Sequence, residues 1–256
     1  MRFDCHTHTT YSDGWDWREM AAAAADSGLE GIGFTDHCVP YADPFGRHEQ
    51  YPFAETYLER RQELVSARDE LEIDCYDGVE LNYDPAHEPA IRAFLEAADF
   101  DYVIGSVHYA GEFYVGHPDA LVGASAATKR EAIETYVDWQ LQLVESGLFD
   151  VLGHLDLTQR SPSLRGLMRG ADYRRLADAL AASETVPEIN GGRLDRTYGE
   201  VHPHPNHLDA FRELDVPFVP GTDSHAPDQL QSRIGLLDTR LAELDVRVVE
   251  LPTIVA

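Results

Sequence analysis

The sequence predicts an α/β protein whose parallel strands close, or nearly close, into a barrel. Three observations carry that expectation. Short apolar runs alternate with helix-patterned segments from end to end of the 256 residues, as parallel strands joined by right-handed crossovers do. Seven or more such units fit the chain, which suits a barrel better than an open sheet. No linker, low-complexity tract or shift in composition marks a boundary, so residues 1–256 read as a single domain of a size that barrels commonly reach.

The elements follow in order. Arg2–Cys5 reads as the first strand. Asp16 with Glu19 forms a capping-box signature, the run Ala21–Ala25 favours helix, and Gly28 stops it. Gly31–Thr35 is expected as strand, Phe53–Leu71 as helix after Pro52, and Ile73–Leu81 as strand. Pro85–Ala97 reads as helix and Tyr102–Val107 as strand. A loop, Tyr109–Gly123, precedes the strongest helical segment, Ser125–Ser146, which Gly147 ends. Phe149–His154, Thr185–Asn190 and Val216–Gly221 are further strands, with helices near Tyr173–Ser183 and Asn206–Leu214. Arg247–Leu251 is expected as a final strand. Residues 160–170 read as a long loop after a strand, where a barrel carries its active site.

Composition narrows the function. Acidic residues (46) exceed basic ones (20) by 26, which excludes a broad basic face for gripping long nucleic acids. At 43% hydrophobic the chain has ample material for a core. Lys129 is the one lysine; arginine with abundant Asp and Glu points to a salt-adapted cytoplasm, where salt screens self-repulsion. Cys5, Cys38 and Cys75 follow no paired spacing, and Met1–His6 is not the start of a signal peptide. A reducing cytosol is therefore expected. No run of roughly 18 apolar residues offers a membrane span.

Histidines and carboxylates gather where apolar runs end: His6, His8, Asp13, His37, Glu80, His108, His154, Asp223 and His225. In a parallel barrel these ends share one face, so residues distant in sequence converge. Imidazole and carboxylate are ligands for divalent metals, and nine exceed what one ion needs. His6 and His8, two apart on a strand, project to the same side. Glu80 could bridge two ions with its two oxygens.

His6-Thr7-His8, Thr35-Asp36-His37, Gly78-Val79-Glu80, Gly105-Ser106-Val107-His108, Gly153-His154-Leu155-Asp156 and Gly221-Thr222-Asp223-Ser224-His225 resemble, in order, the motifs of the PHP (polymerase and histidinol phosphatase) phosphoesterases. The resemblance implies a distorted (β/α)7 TIM-like barrel with a three-metal site. By position, His6, His8, Glu80 and Asp223 would hold one ion, and Glu80, His108 and His154 a second. Asp13, His37 and His225 would form the third set, with Asp13 where several relatives carry histidine. Two or three zinc, manganese or iron ions suit such ligands, with a metal-bridging hydroxide as nucleophile and Asp223 or His225 assisting the leaving group.

Phe100–His108, Phe149–Asp156 and Val186–Asn190 look most like the histidinol-phosphate phosphatases within that family, which implies hydrolysis of a small phosphomonoester in histidine biosynthesis. A nucleotide or short-oligonucleotide phosphoesterase is the alternative, and a non-catalytic metal-binding domain a third. Arg160 and Arg193, near strand ends, are expected to anchor the phosphate, whereas Arg174 and Arg175 read as a solvated helix face. The tract His202-Pro203-His204-Pro205-Asn206-His207 is expected to be an ordered loop near the site rather than a metal centre. His48, His87 and His117 read as surface residues.

Overall fold

The computed structural model describes residues 1–42, 51–67 and 70–255. Seven parallel strands form the barrel: β1 (Phe3–Thr7), β2 (Gly31–Phe34), β4 (Asp74–Asn82), β5 (Tyr102–Ser106), β8 (Val151–Leu152), β9 (Val186–Asn190) and β10 (Val219–Gly221), hydrogen-bonded in that order. A short β3 (His37–Cys38) also pairs with β4, and β6 (Tyr109–Ala110) with β7 (Phe113–Tyr114) makes a small hairpin. The circle closes between β10 and β1. Asp223 N donates to His6 O at 2.8 Å, and His8 N donates to Ser224 O at 2.9 Å. Buried Asp4 bolts the same seam, accepting from Thr222 N (2.9 Å) and Thr222 Oγ1 (2.6 Å). The expected α/β barrel is thus the fold.

Helices α1 (Trp17–Asp26), α2 (Phe53–Ala67), α3 (Glu88–Ala98), α4 (Ala126–Ser146), α5 (Gly170–Ala181), α6 (Asp209–Glu213), α7 (Pro227–Leu244) and α8 (Leu251–Ile254) complete the described chain. Half of the expected capping box forms: Asp16 accepts from Arg18 N and Glu19 N, while Glu19 instead accepts from Trp15 Nε1 at 2.8 Å. Inside the barrel Phe3, Cys5, Tyr102, Ile104, Val151 and Val219 form one buried cluster with Leu251. The Tyr102 hydroxyl reaches Cys5 O at 2.5 Å. It passes so close to Gly33 that a β-carbon there would lie 1.9 Å from the hydroxyl oxygen.

Four expectations change. The final strand Arg247–Leu251 shrinks to one bridge, Phe218 to Val248, because β1 already occupies the edge of β10. Instead α7 supplies a helix that the sequence reading lacked, although Pro227 starts it and Leu230, Ile234, Leu237 and Leu244 recur on its buried face. The loop Tyr109–Gly123 contains the β6–β7 hairpin. Of the expected Phe53–Leu71 helix, α2 covers Phe53–Ala67, and Leu71 lies outside it. His48 lies outside the described residues.

One buried cation secures the site's underside. Arg60 of α2, fully buried, pairs with Asp36 at 2.5 Å and Asp77 at 2.7 Å and stacks 4.3 Å over Phe53. Removing one member of a buried pair strands the others' charge. Arg60→Ala should therefore lower the unfolding free energy by about 3–5 kcal/mol in urea titrations. Arg174→Ala, breaking exposed pairs with Asp178 and Glu213, should cost under about 1 kcal/mol.

Candidate active site

The strand register delivers the nine expected residues to one mouth of the barrel. β1 carries His6 and is followed at once by His8, β3 carries His37 opposite Glu80 of β4, and His108, His154, Asp223 and His225 follow β5, β8 and β10. Glu80, 1% exposed, is the hub. Its Oε1 lies 3.0 Å from His154 Nε2, 3.4 Å from His108 Nε2 and 2.6 Å from Ser106 Oγ. Its Oε2 lies 2.6 Å from His37 Nδ1, 3.5 Å from His6 Nε2 and 3.8 Å from His8 Nε2. Asp13 stands 3.8 Å from both His8 and His37 and 3.4 Å from His225. Asp223 Oδ1 stands 3.5 Å from His8 Nε2.

Two of these residues, His154 and Asp223, have left-handed backbones (φ 21° and 51°), strain of the kind retained at working sites. Gly192 gives Asp223 its room, since a β-carbon there would sit 2.5 Å from Asp223 Oδ2.

The donor set fits divalent ions. Buried His6 Nε2, both nitrogens of His8 and His154 Nδ1 make no hydrogen bond, a costly arrangement unless another electrophile satisfies them. Ligand atoms of His6, His8 and Glu80 lie within 4.8 Å of one another, as do those of His37, Glu80 and His108, and those of His8, Asp13, His37 and His225. Burial, helped by His225 and His37, pushes His8 down to about 4, and burial pushes His108 down to about 4 against the pull of Glu80. Both are neutral at pH 7, the form that binds metal. Burial would raise Glu80, yet His37, His6 and His108 hold it well below the usual carboxylate range.

Beside the cluster a cavity of about 280 Å³ is lined by Glu80, Asp223, Arg160, Arg193, Arg196 and Arg233, among others. The Arg193 side chain lines it, with no ion pair or side-chain hydrogen bond among the described residues. A second cavity of about 460 Å³ shares Asp13, His37, Glu80, His108 and Tyr114, and adds Tyr51, Tyr109, Asn82 and His117. A further cavity of about 710 Å³ around Leu71–Asp77 lies at the opposite end of β4 and holds none of these groups.

The PHP domain model matches residues 4–188, well over half of the chain. The chain belongs to the PHP family. It is 32% identical over 243 residues (91% of this chain, 89% of the relative) to a Deinococcus radiodurans protein described as "Probable histidinol-phosphatase". It is 29% identical over 234 residues (88% and 84%) to the histidinol-phosphatase of Lactococcus lactis. The crystal structure of the Lactococcus lactis histidinol phosphate phosphatase with zinc, L-histidinol and phosphate superposes with a TM-score of 0.76 at 26% identity, covering 97% of this chain and 95% of that one. A Listeria monocytogenes structure at 19% identity shares the fold (TM-score 0.74; 89% and 96%).

The PHP site also uses residues that the sequence alone did not single out. Glu188 of β9, fully buried, accepts from His6 Nδ1 at 2.9 Å and from His154 N at 3.0 Å. That bond fixes the His6 tautomer and turns Nε2 toward Glu80. Asp36 collects Thr9 N, Thr9 Oγ1 and Ser12 Oγ at 2.7 Å each, which shapes the loop that carries Asp13. Arg196 and Arg233 join the cavity wall. A charged residue inside an apolar strand, as in Val186-Pro187-Glu188-Ile189-Asn190, was the available signal for Glu188. Arg174 and Arg175 are the exposed surface pairs expected. His87 stacks half-buried on Tyr41 at 4.2 Å, and His117 is exposed at the rim of the second cavity.

Losing the partner that orients a histidine ligand typically costs 10–100-fold in metal affinity. Glu188→Ala should weaken zinc binding to stripped protein by about that factor in calorimetric titration. Unchanged affinity would detach Glu188 from the metal site.

Proposed function

We propose that this PHP protein is a metal-dependent phosphomonoesterase, a histidinol-phosphatase that converts L-histidinol phosphate and water to L-histidinol and phosphate in histidine biosynthesis. One observation carries it: a buried His/Asp/Glu cluster suited to divalent ions shares a 280 Å³ cavity with four arginines in a protein of net charge −26. The arginines reverse the sign locally, where a phosphate dianion would sit. The similarity to two histidinol-phosphatases, over most of each chain, supports the choice of ester.

His6, His8, Glu80 and Asp223 would hold one ion, Glu80, His108 and His154 a second, and Asp13, His37 and His225 a third. Zinc has the support of the Lactococcus lactis structure, and manganese or iron suits the same donors. Divalent ions in such a site make water a nucleophile near neutral pH and neutralise charge on the phosphoryl oxygens. Arg160 and Arg193 bind those oxygens and orient the ester. The aromatic 460 Å³ cavity, walled by Tyr51, Tyr109 and Tyr114, receives the histidinol group. Asp223 already accepts from Arg160 Nη2 (3.1 Å) and Asn190 Nδ2 (3.3 Å), so it serves as an acceptor. His225, 28% exposed with Nε2 3.4 Å from Asp13, would serve that third ion as a ligand through Nε2.

Within the described residues no helix is long and apolar enough to cross a membrane, and Cys5, Cys38 and Cys75 are free thiols. A reducing, salt-rich cytoplasm is the setting that these thiols and the acidic, lysine-poor composition suit.

Phosphate release from a panel of monoesters and diesters, in high salt with zinc or manganese, tests the reading. Histidinol phosphate should be turned over best. Faster turnover of a nucleotide or a diester would move the chain to another PHP chemistry. His225→Asn should lower the zinc retained per chain and reduce kcat on histidinol phosphate and 4-nitrophenyl phosphate alike. Unchanged metal content would remove His225 from the third ligand set.

A further inference from the structure

Arg160 is gripped along one edge. Its Nε donates to His202 Nε2 at 3.1 Å, and its Nη2 donates to Asn190 Oδ1 at 3.3 Å and Asp223 Oδ2 at 3.1 Å. Nη1 has no acceptor among the described residues, and the side chain lines the 280 Å³ cavity. That nitrogen is left for a ligand oxygen.

His202 is the unexpected partner. It comes from the 202–207 tract, which is an ordered loop touching the site. The loop is tied to β9 by paired backbone bonds between Asn190 and His202 (2.8 and 3.0 Å). The ring is fully buried and stacks on Tyr198 at 4.9 Å, which Arg165 covers at 5.3 Å. Because Nε2 accepts from Arg160, the ring proton must sit on Nδ1, where it is donated to Asp156 Oδ1 at 2.6 Å. Asp156 Oδ2 is held in turn by Tyr173 OH (3.0 Å) and His204 N (2.8 Å). A carboxylate, an imidazole and a guanidinium thus form one chain with every proton assigned.

The geometry points to Asp156 and His202 as a positioning pair for phosphate binding: Asp156 fixes the His202 tautomer, and His202 fixes the Arg160 guanidinium so that Nη1 faces the phosphoryl group. This inference rests on the reading that Arg160 binds the substrate phosphate. Neither residue touches substrate. Their effect passes through Arg160, so it belongs in binding rather than in the bond-breaking step.

Asp156→Asn is the sharpest variant. It is isosteric and keeps an oxygen for Tyr173 and His204, but its amide can donate to His202 Nδ1. The ring proton then moves to Nε2, donor faces donor, and Arg160 is expelled. The experiment measures KM and kcat for histidinol phosphate, the inhibition constant of inorganic phosphate, and metal per chain. It covers Asp156→Asn, His202→Ala, His202→Gln, Arg160→Ala and the Arg160→Ala/His202→Ala double variant. Asp156→Asn and His202→Ala should each raise KM and the phosphate inhibition constant about tenfold, with kcat within about threefold and metal content unchanged. His202→Gln, whose amide can donate and accept, should recover most of the loss. The double variant should be no worse than Arg160→Ala alone. If Arg160→Ala raises KM but both other single variants stay within twofold, the positioning inference fails and the phosphate reading stands. If Arg160→Ala leaves KM unchanged, the phosphate reading itself fails. Loss of metal with a matching fall in kcat would instead make Asp156 a support of His154 and overturn the inference.

Discussion

A single buried carboxylate organises the mouth of the barrel. Glu80 shares its two oxygens among His6, His8, His37, His108 and His154, all within 3.8 Å. A charge so deeply removed from water is tolerated only where cations or strong donors answer it. The imidazoles can answer it partly, and only by giving up the neutral form that ligates metal. Divalent ions answer it fully and satisfy the buried nitrogens in the same act. The length of β4, which pairs with β2, β3 and β5, makes this possible by carrying Glu80 beyond the end of β2 while β3 and β5 hold it in register.

The supports radiate from that hub. Arg60 and Asp36 brace it from below, Asp4 seals the β10–β1 seam that delivers Asp223, and Glu188 aims His6. Each is a buried polar group whose partners come from other segments of the chain, so the metal cluster is held by contacts that only the folded barrel brings together. The excess of acid has two destinations. Asp4, Asp36, Asp77, Glu80, Asp84, Asp156, Asp172, Glu188 and Asp223 are buried and matched by histidine, arginine, hydroxyl or backbone donors, while the other described acids are half-buried or exposed. A cavity rich in arginine inside an acidic protein follows from that division.

Legibility in the sequence followed the physics of each feature. Ligand positions were readable because strand ends in a parallel barrel share a face, so the spacing of His6-Thr7-His8 or Gly78-Val79-Glu80 carries geometry by itself. The supports were not readable. Glu188 meets His6 across the barrel at a separation of 182 residues, and His202 reaches Arg160 across 42. No local spacing encodes such pairs. The missed helix α7 was a different case, since its apolar spacing was present. The mistaken strand Arg247–Leu251 shows the converse limit. A β-branched run has strand propensity wherever it lies, but β1 had already taken the edge it needed.

The metal content of the protein tests the central claim most directly. After incubation with zinc and dialysis in high salt, mass spectrometry of the wild-type chain should find two or more ions per molecule. Glu80→Ala, which removes both oxygens of the hub, should retain one at most. A Glu80→Ala protein carrying the wild-type complement of metal would contradict the account.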